Sequence, residues 1–175
     1  MDGIDELKTG TAILGVDPGL NITGYGLVRV TDGAPQLIEG GVVRPASRKP
    51  LEHRLKEIFD GIKEVVEIHG PLAIAVEELY SHYKMPRTAI LMGHARGAIC
   101  LAAAEFGVPV FHYASTQVKK ILTGNGRAPK LQVQQSICSE FGLDEVPEPA
   151  DVADALAIAL CHYYLYRNAQ LDNAC

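Results

Sequence analysis

Residues 13–28 read ILGVDPGLNITGYGLV, and this stretch decides the fold. It opens with a short apolar run, reaches Asp17, turns at Pro18-Gly19 and resumes as an alternating run through Tyr25 and Leu27. Two short β-type runs separated by a turn-sized gap predict a pair of antiparallel strands. A carboxylate at the end of so apolar a run is costly unless something binds it or pairs with it. Asp17 is therefore the first candidate functional residue.

The rest of the chain continues with strands and helices. Strands are predicted over 11–16, 24–30, 36–43, 72–76 and 108–113, and helices over 51–69, 88–105, 115–123, 130–141 and 151–166. The first three strands should form an antiparallel meander, and the last two should lie parallel because each follows a helix. We expect the α/β class: a mixed five-stranded sheet flanked by helices on both faces, in a single domain over 1–175. An extension (1–10) and a tail (168–175) are expected to be poorly ordered.

Composition bounds the class of protein. The 175 residues are 47% hydrophobic, which suffices for one domain with an ordinary core. No apolar run approaches the ~20 residues that span a bilayer. The first ten residues lack the basic start and apolar centre of a signal peptide, so we expect a cytoplasmic protein with no membrane partner. The cysteines lack CxxC spacing and are predicted to be buried free thiols: Cys100, Cys138, Cys161 and Cys175.

The charge of the chain is unevenly distributed. A formal net charge of −5 argues mildly against a nucleic-acid partner. The basic residues are nevertheless grouped, and local patches are what hold phosphates. The three groups are Lys119, Lys120, Arg127 and Lys130; Lys84, Arg87 and Arg96; and Arg44, Arg48, Lys49 and Arg54.

Four carboxylates fall where strands end or a helix begins. Asp17 and Glu77 each close a predicted central strand, while Asp151 and Asp154 share one face of the last helix's first turn. Adjacent strands bring such ends together, and a helix N-terminus favours negative charge. Taken singly, they could be a turn cap, a solvated rim residue, an N-cap and a first-turn charge. Their common placement favours one site, whereas Glu78 should point to the opposite face.

Acidic oxygens without a matching basic partner suit hard divalent cations, Mg²⁺ or Mn²⁺. Four such ligands can hold two ions about 4 Å apart. Two ions so placed assist in-line hydrolysis of a phosphodiester, one at the attacking water and one at the leaving 3′ oxygen. The residues themselves therefore predict metal-assisted phosphodiester hydrolysis.

Five segments, in this order, resemble the RuvC family of Holliday-junction resolvases in the RNase H-like superfamily. They are ILGVDPGLNITGYGLV, AIAVEELY, HARG, PVFHYASTQVKKILTGNGRAPKLQVQ and ADVADALAIAL, all between residues 12 and 162. The resemblance implies a crossover junction endodeoxyribonuclease of DNA recombination and repair, which makes paired symmetric nicks with 5′-phosphate and 3′-hydroxyl ends. It implies two Mg²⁺ per subunit, with Mn²⁺ as a substitute, and assigns catalysis and metal binding to Asp17, Glu77, Asp151 and Asp154.

The resemblance and the basic groups together indicate DNA contacts. Lys119 and Lys130 best match the family's basic residues near the scissile phosphate. Tyr80 matches an aromatic near the junction centre, for which stacking on an unpaired base is implied. The simpler alternatives are a solvated helix face for the lysines and a core position for the tyrosine. The predicted DNA-binding residues are Lys119, Lys120, Arg127, Lys130, Tyr80, Lys84 and Arg87.

The resemblance further implies partners. They are four-way junction DNA, the RuvA–RuvB branch-migration complex and a second copy of the chain, because a two-fold dimer matches a two-fold substrate. The predicted helix over 88–105 is the candidate dimer interface; the alternative is a core helix packed within its own subunit. Its apolar residues include Ile90, Leu91, Ala95, Ile99 and Leu101.

Three rival functions fit part of the pattern. A ribosomal-RNA processing nuclease of the YqgF type would share the superfamily, but the QVKK…GRAPK segment and the ADVADALAIAL ending argue against it. A nucleotide-binding module of the actin or sugar-kinase type would explain the turn after Asp17, but it needs two similar domains and a second Gly-rich turn. A catalytically silent junction-binding scaffold would have no need of four carboxylates.

Overall fold

The computed structural model describes residues 10–79 and 86–173, and the side chains of 10–79 and 87–169. Within these residues the chain forms five strands and five helices. The strands are β1 (Ala12–Asp17), β2 (Thr23–Thr31), β3 (Ala34–Val43), β4 (Ala73–Glu77) and β5 (Val110–Tyr113). The helices are α1 (Leu51–His69), α2 (Pro86–Glu105), α3 (Ser115–Thr123), α4 (Lys130–Phe141) and α5 (Ala150–Asn173).

The sheet has the strand order β3-β2-β1-β4-β5. β2 pairs antiparallel with β1 and β3, whereas β4 runs parallel to β1 and β5 runs parallel to β4. The predicted mixed sheet is therefore confirmed. Several boundaries differ by one or two residues, and one differs by more: the last helix was expected to end near Tyr166 and continues to Asn173, because no glycine or proline follows Tyr166 to stop it.

Alternation along the strands divides the core into two layers. Ile13 of β1 and Ala75 of β4 face the side covered by α3, α4 and α5. Leu14 and Val76, one residue further along each strand, face the side covered by α1 and α2. Because successive side chains in a strand point to opposite faces, the odd-numbered residues of these two central strands face α5.

The last helix lies close to the sheet because glycines line its path. Gly15, Gly26 and Gly40 are paired neighbours on β1, β2 and β3. A Cβ added to Gly15 would lie 2.0 Å from the carbonyl oxygen of Ala155, a contact that no side chain could make. Glycine weakens an ordinary strand, and its use here marks a close approach of backbones. This close approach brings the first turn of α5 to the edge of the sheet at which β1 and β4 end.

The described helices include none that combines the length and the apolar character needed to cross a bilayer. Cys161 is buried, and Cys100 and Cys138 are half-buried; all three are free thiols, as predicted. Burial raises the pKa of the Cys161 thiol to about 12, so this thiol stays protonated and unreactive at neutral pH. Cys175 lies outside the described residues.

Candidate active site

Two of the four carboxylates come from neighbouring strand ends. Asp17 is the last residue of β1 and Glu77 is the last residue of β4. These strands are parallel, with Val16 level with Val76, so the two acids leave the sheet at the same edge. Both continue the alternation that faces α5. The prediction that the two strand ends meet is confirmed in this geometry.

The turn that follows Asp17 is held by hydrogen bonds. The Thr23 hydroxyl donates to the Gly19 carbonyl oxygen at 2.7 Å, which closes the turn on itself. Arg54 of α1 donates from Nη2 to the Leu20 carbonyl oxygen at 3.0 Å. One basic residue counted above as a possible phosphate contact is therefore used to fix the loop beside the first carboxylate.

The other two carboxylates come from the start of α5. Asp151 and Asp154 are half-buried and lie three residues apart, so they share one face of the helix. The Asp151 main chain lies against Gly24 of β2, and Gly24 is the ladder partner of Asp17. The structure thus brings the helix-borne pair to the edge where the strand-borne pair emerges.

The pKa values of Asp17 and Glu77 are raised because the carboxylates are buried and close together. Burial first, and then the negative charges of the other three carboxylates, raise the pKa of Asp17 to about 7 from an ordinary 3.8. Burial is also the main cause that raises the pKa of Glu77, while a hydrogen bond from Ser115 works against it. A carboxylate with a raised pKa is held where its charged form is unfavourable, and a bound cation would relieve that cost.

One lysine already supplies part of the missing positive charge. Lys130, the first residue of α4, donates from Nζ to a carboxylate oxygen of Asp154 at 2.7 Å. This bond, more than the surrounding charges, raises the pKa of Lys130 despite some desolvation. Lys130, Glu77, Asp154, Ser115 and Lys119 all line one pocket of about 210 Å³ beside the sheet edge.

The donor set fits a hard divalent cation. All four candidate ligands are carboxylates, which Mg²⁺ and Mn²⁺ prefer. Among the described residues, no three Asp, Glu, His or Cys side chains already form a ligand group for one ion. The four carboxylates of this site are therefore coupled by charge without forming a closed coordination shell.

Comparison with known proteins decides the family. A family model described as "Crossover junction endodeoxyribonuclease RuvC" matches residues 13–162 of this chain. The chain belongs to this family. The match begins in β1 and ends in α5, so it includes all four carboxylates and the three elements that present them, β1, β4 and α5.

Relatives and solved structures agree with this assignment. A crossover junction endodeoxyribonuclease RuvC from Rhodopirellula baltica is 54% identical over 158 residues, which cover 90% of this chain and 89% of that protein. The structure of Thermus thermophilus RuvC is 38% identical, with a TM-score of 0.83 over 90% of this chain and 97% of that one. A structure of T. thermophilus RuvC in complex with Holliday junction substrate aligns with a TM-score of 0.82, 38% identity and coverage of 90% and 96%.

The residues predicted to bind DNA do not all lie together. Lys119 and Lys130 line the pocket that Glu77 and Asp154 also line. Lys120 and Arg127 are exposed on α3 and on the loop after it, in the same layer, whereas Arg87 is exposed on α2 across the sheet. Tyr80 and Lys84 lie outside the described residues.

Two residues that contact the candidate ligands were not predicted from the sequence. Ser115 hydrogen-bonds the Glu77 carboxylate from the start of α3. Gly24 makes room for the Asp151 main chain. The available signals were a serine that opens α3 two residues after β5 and two glycines spaced by two in a strand, but neither signal identifies the partner residue. Glu78 is exposed, and its charge acts on His112, the ladder partner of Val76 on the face that α1 and α2 cover. This agrees with the predicted opposite face.

Proposed function

We propose that this chain cuts four-way DNA junctions by divalent-metal-dependent hydrolysis of phosphodiester bonds, within DNA recombination and repair. It makes paired symmetric nicks that leave 5′-phosphate and 3′-hydroxyl ends. The observation that carries the proposal is the charge coupling of four carboxylates from β1, β4 and α5, in a chain of the crossover junction endodeoxyribonuclease family. The raised pKa of Asp17 is what a ligand set with an excess of negative charge is expected to have.

The ligands proposed for two Mg²⁺ ions, or for Mn²⁺ in their place, are Asp17, Glu77, Asp151 and Asp154. When bound, such ions activate the attacking water and stabilise the leaving 3′ oxygen. The protein's own part is to hold the ligands and to orient the phosphate. Lys119 and Lys130 line the same pocket and would hold the negatively charged phosphate oxygens there.

DNA contacts outside the pocket are proposed for the remaining basic residues. Lys120 and Arg127 extend the positive charge of Lys119 along the α3 side of the site, so they would hold an arm of the junction. Roles near the junction centre are proposed for Tyr80, Lys84 and Arg87, on the family resemblance. Such phosphate contacts fix the register of DNA without reading its sequence.

We also propose a homodimer, formed through α1 and α2. An apolar groove of about 470 Å³ lies between these helices, lined in part by Leu55, Phe59, Ala98 and Leu101. Leu101 is 62% exposed, although Ala95 and Ile99 of the same helix are buried within the subunit. Exposed apolar surface of this kind is typical of protein–protein contacts.

The partnership with the RuvA–RuvB complex is proposed from family membership. A cytoplasmic location is also proposed, because the proposed substrate is DNA undergoing recombination and repair.

The direct test is cleavage of a synthetic mobile four-way junction in Mg²⁺, beside linear duplex and RNA of the same sequence. Glu77→Gln should abolish cutting, because the charge of a ligand is lost while the size is kept. Glu78→Gln is the matched control, since this neighbouring carboxylate is exposed and faces away; it should cut like the wild type. Equal cutting of duplex or RNA would overturn the proposed substrate, and undiminished cutting by Glu77→Gln would overturn the proposed site.

A further inference from the structure

The contact between β2 and α5 joins two metal-ligand positions. Gly24 lies at the start of β2 and pairs with Asp17 across the antiparallel ladder. A Cβ built on Gly24 would lie 2.1 Å from the carbonyl oxygen of Asp151, 2.5 Å from its carbonyl carbon and 2.9 Å from its Cβ. The backbone of one candidate ligand therefore rests directly on the strand residue that faces another.

The backbone conformation at position 24 does not require a glycine. It is absent from the described glycines with positive φ, so an alanine could adopt its backbone conformation. What glycine provides at this position is space. Gly40 on the same face of the sheet differs in kind, because a Cβ there would meet only the Val152 side chain at 2.6 Å, with the nearest backbone atom at 3.7 Å.

We infer that Gly24 is a positioning residue: by leaving room for the Asp151 main chain, it fixes how far the Asp151 carboxylate extends towards the other three carboxylates. With a Cβ at position 24, the first turn of α5 would have to retreat on the order of 1 Å to reach an ordinary van der Waals contact. An aspartate is too short to restore its carboxylate over that distance. A ligand set must be held within about 0.5 Å of its working geometry, so such a retreat weakens metal binding.

The inference rests on the proposed function only in so far as the four carboxylates bind a divalent ion. Its readout is the dissociation constant of Mn²⁺ for the free protein without DNA, measured by electron paramagnetic resonance and by calorimetry. Gly24→Ala should weaken Mn²⁺ binding at least roughly tenfold. Gly40→Ala, which pushes on the next residue of the same helix through a side chain only, should bind Mn²⁺ within about twofold of the wild type.

Compensation separates positioning from a general loss of stability. Glutamate at position 151 adds one methylene, about 1.5 Å of reach. Asp151→Glu alone should overshoot the site and weaken Mn²⁺ binding, whereas the Gly24→Ala/Asp151→Glu pair should bind Mn²⁺ more tightly than either single variant. A merely destabilised protein would gain nothing from the longer side chain.

Several outcomes would overturn the inference. They are wild-type Mn²⁺ affinity in Gly24→Ala, equal losses in Gly24→Ala and Gly40→Ala, or a double variant weaker than both singles. If Gly24→Ala does not fold, Asp151→Glu decides, because wild-type Mn²⁺ affinity in that variant would contradict a finely set reach. A wild-type protein that binds Mn²⁺ as described but does not cut junctions would overturn the proposed function and leave the positioning role of Gly24 intact.

Discussion

The surroundings of Asp17 disfavour its ionised form, which a solvent-exposed aspartate adopts at neutral pH. Its pKa of about 7 means that burial and three neighbouring carboxylates penalise its negative charge near neutral pH. A fold selected only for stability would place an apolar or neutral side chain there. The cost is understandable if the charge is needed for a cation, which makes the immediate partners of each carboxylate important for function.

Ser115 is the hydrogen-bond partner of Glu77, so its replacement tests the role of this one carboxylate. Its hydrogen bond to Glu77 favours the charged carboxylate and orients it, so Ser115→Ala should lower the rate of junction cutting about tenfold and raise the Mg²⁺ concentration needed. Ser115→Thr keeps the hydroxyl and should recover most of the rate. Ser136→Ala is the matched control, because that hydroxyl donates to the Gln132 carbonyl oxygen within α4. Wild-type kinetics in Ser115→Ala would contradict the orienting role.

His162 should make the fold sensitive to mild acid. It is buried, with Nδ1 2.7 Å from the Tyr113 hydroxyl, and burial lowers its pKa to about 4 from 6.5. Below pH 6.5 the imidazole of His162 is protonated in the unfolded chain but stays neutral in the folded chain until the pH approaches 4. The contribution of His162 to stability is therefore fully present above pH 6.5 and is lost as the pH falls towards 4. The free energy of unfolding should fall by about 2 kcal/mol from this group between pH 7 and pH 5.

The measurement is urea denaturation at both pH values for the wild type and for His162→Gln. Other groups titrate equally in the two proteins, so the difference between them isolates this histidine. The variant should lose about 2 kcal/mol less than the wild type on going from pH 7 to pH 5. An identical pH dependence in both proteins would show that His162 is not held neutral.

Between elements, the Lys130–Asp154 ion pair links the start of α4 to the first turns of α5. Removing the ammonium should act in opposite directions on binding and on catalysis. Lys130→Ala should bind Mn²⁺ a few-fold more tightly, because a competing positive charge is gone. It should cut junctions at least roughly tenfold more slowly, because a phosphate contact is lost.

The control for Lys130 is Lys63→Ala. Lys63 of α1 pairs with Glu105 of α2, in the layer on the other side of the sheet, and belongs to none of the basic groups named above. It should change neither quantity more than about twofold, as is usual for an exposed ion pair. Weaker Mn²⁺ binding in Lys130→Ala, or cutting at the wild-type rate, would contradict the dual role.

The elements themselves were largely readable from the sequence, because strand alternation and helix periodicity are local. The run from Ile13 to Val28 predicted β1 and β2, and the ends of β1 and β4 predicted that Asp17 and Glu77 would meet. Contacts between distant segments were not readable. Gly24 and Asp151, or Lys130 and Asp154, are joined by packing in three dimensions, and no local pattern records which glycine or lysine serves which carboxylate.

At the scale of the whole molecule, the apolar groove between α1 and α2 leads to a prediction about assembly. Leu101→Glu should give a monomer by analytical ultracentrifugation, because a charge cannot be buried in an apolar contact without a partner. Ile68→Glu is the matched control, since Ile68 is 68% exposed on α1 but does not line this groove. A dimer that survives Leu101→Glu, or one that Ile68→Glu disrupts instead, would exclude this face as the interface.

The carboxylate site is proposed to cut two strands of a four-way junction together. A supercoiled plasmid with an extruded cruciform tests it most directly, because two coordinated nicks yield linear DNA whereas single nicks yield an open circle. We predict linear product with ligatable ends from the wild type in Mg²⁺. Asp17→Asn should bind the cruciform and leave it uncut. Open circles alone from the wild type, or linear product from Asp17→Asn, would contradict the account.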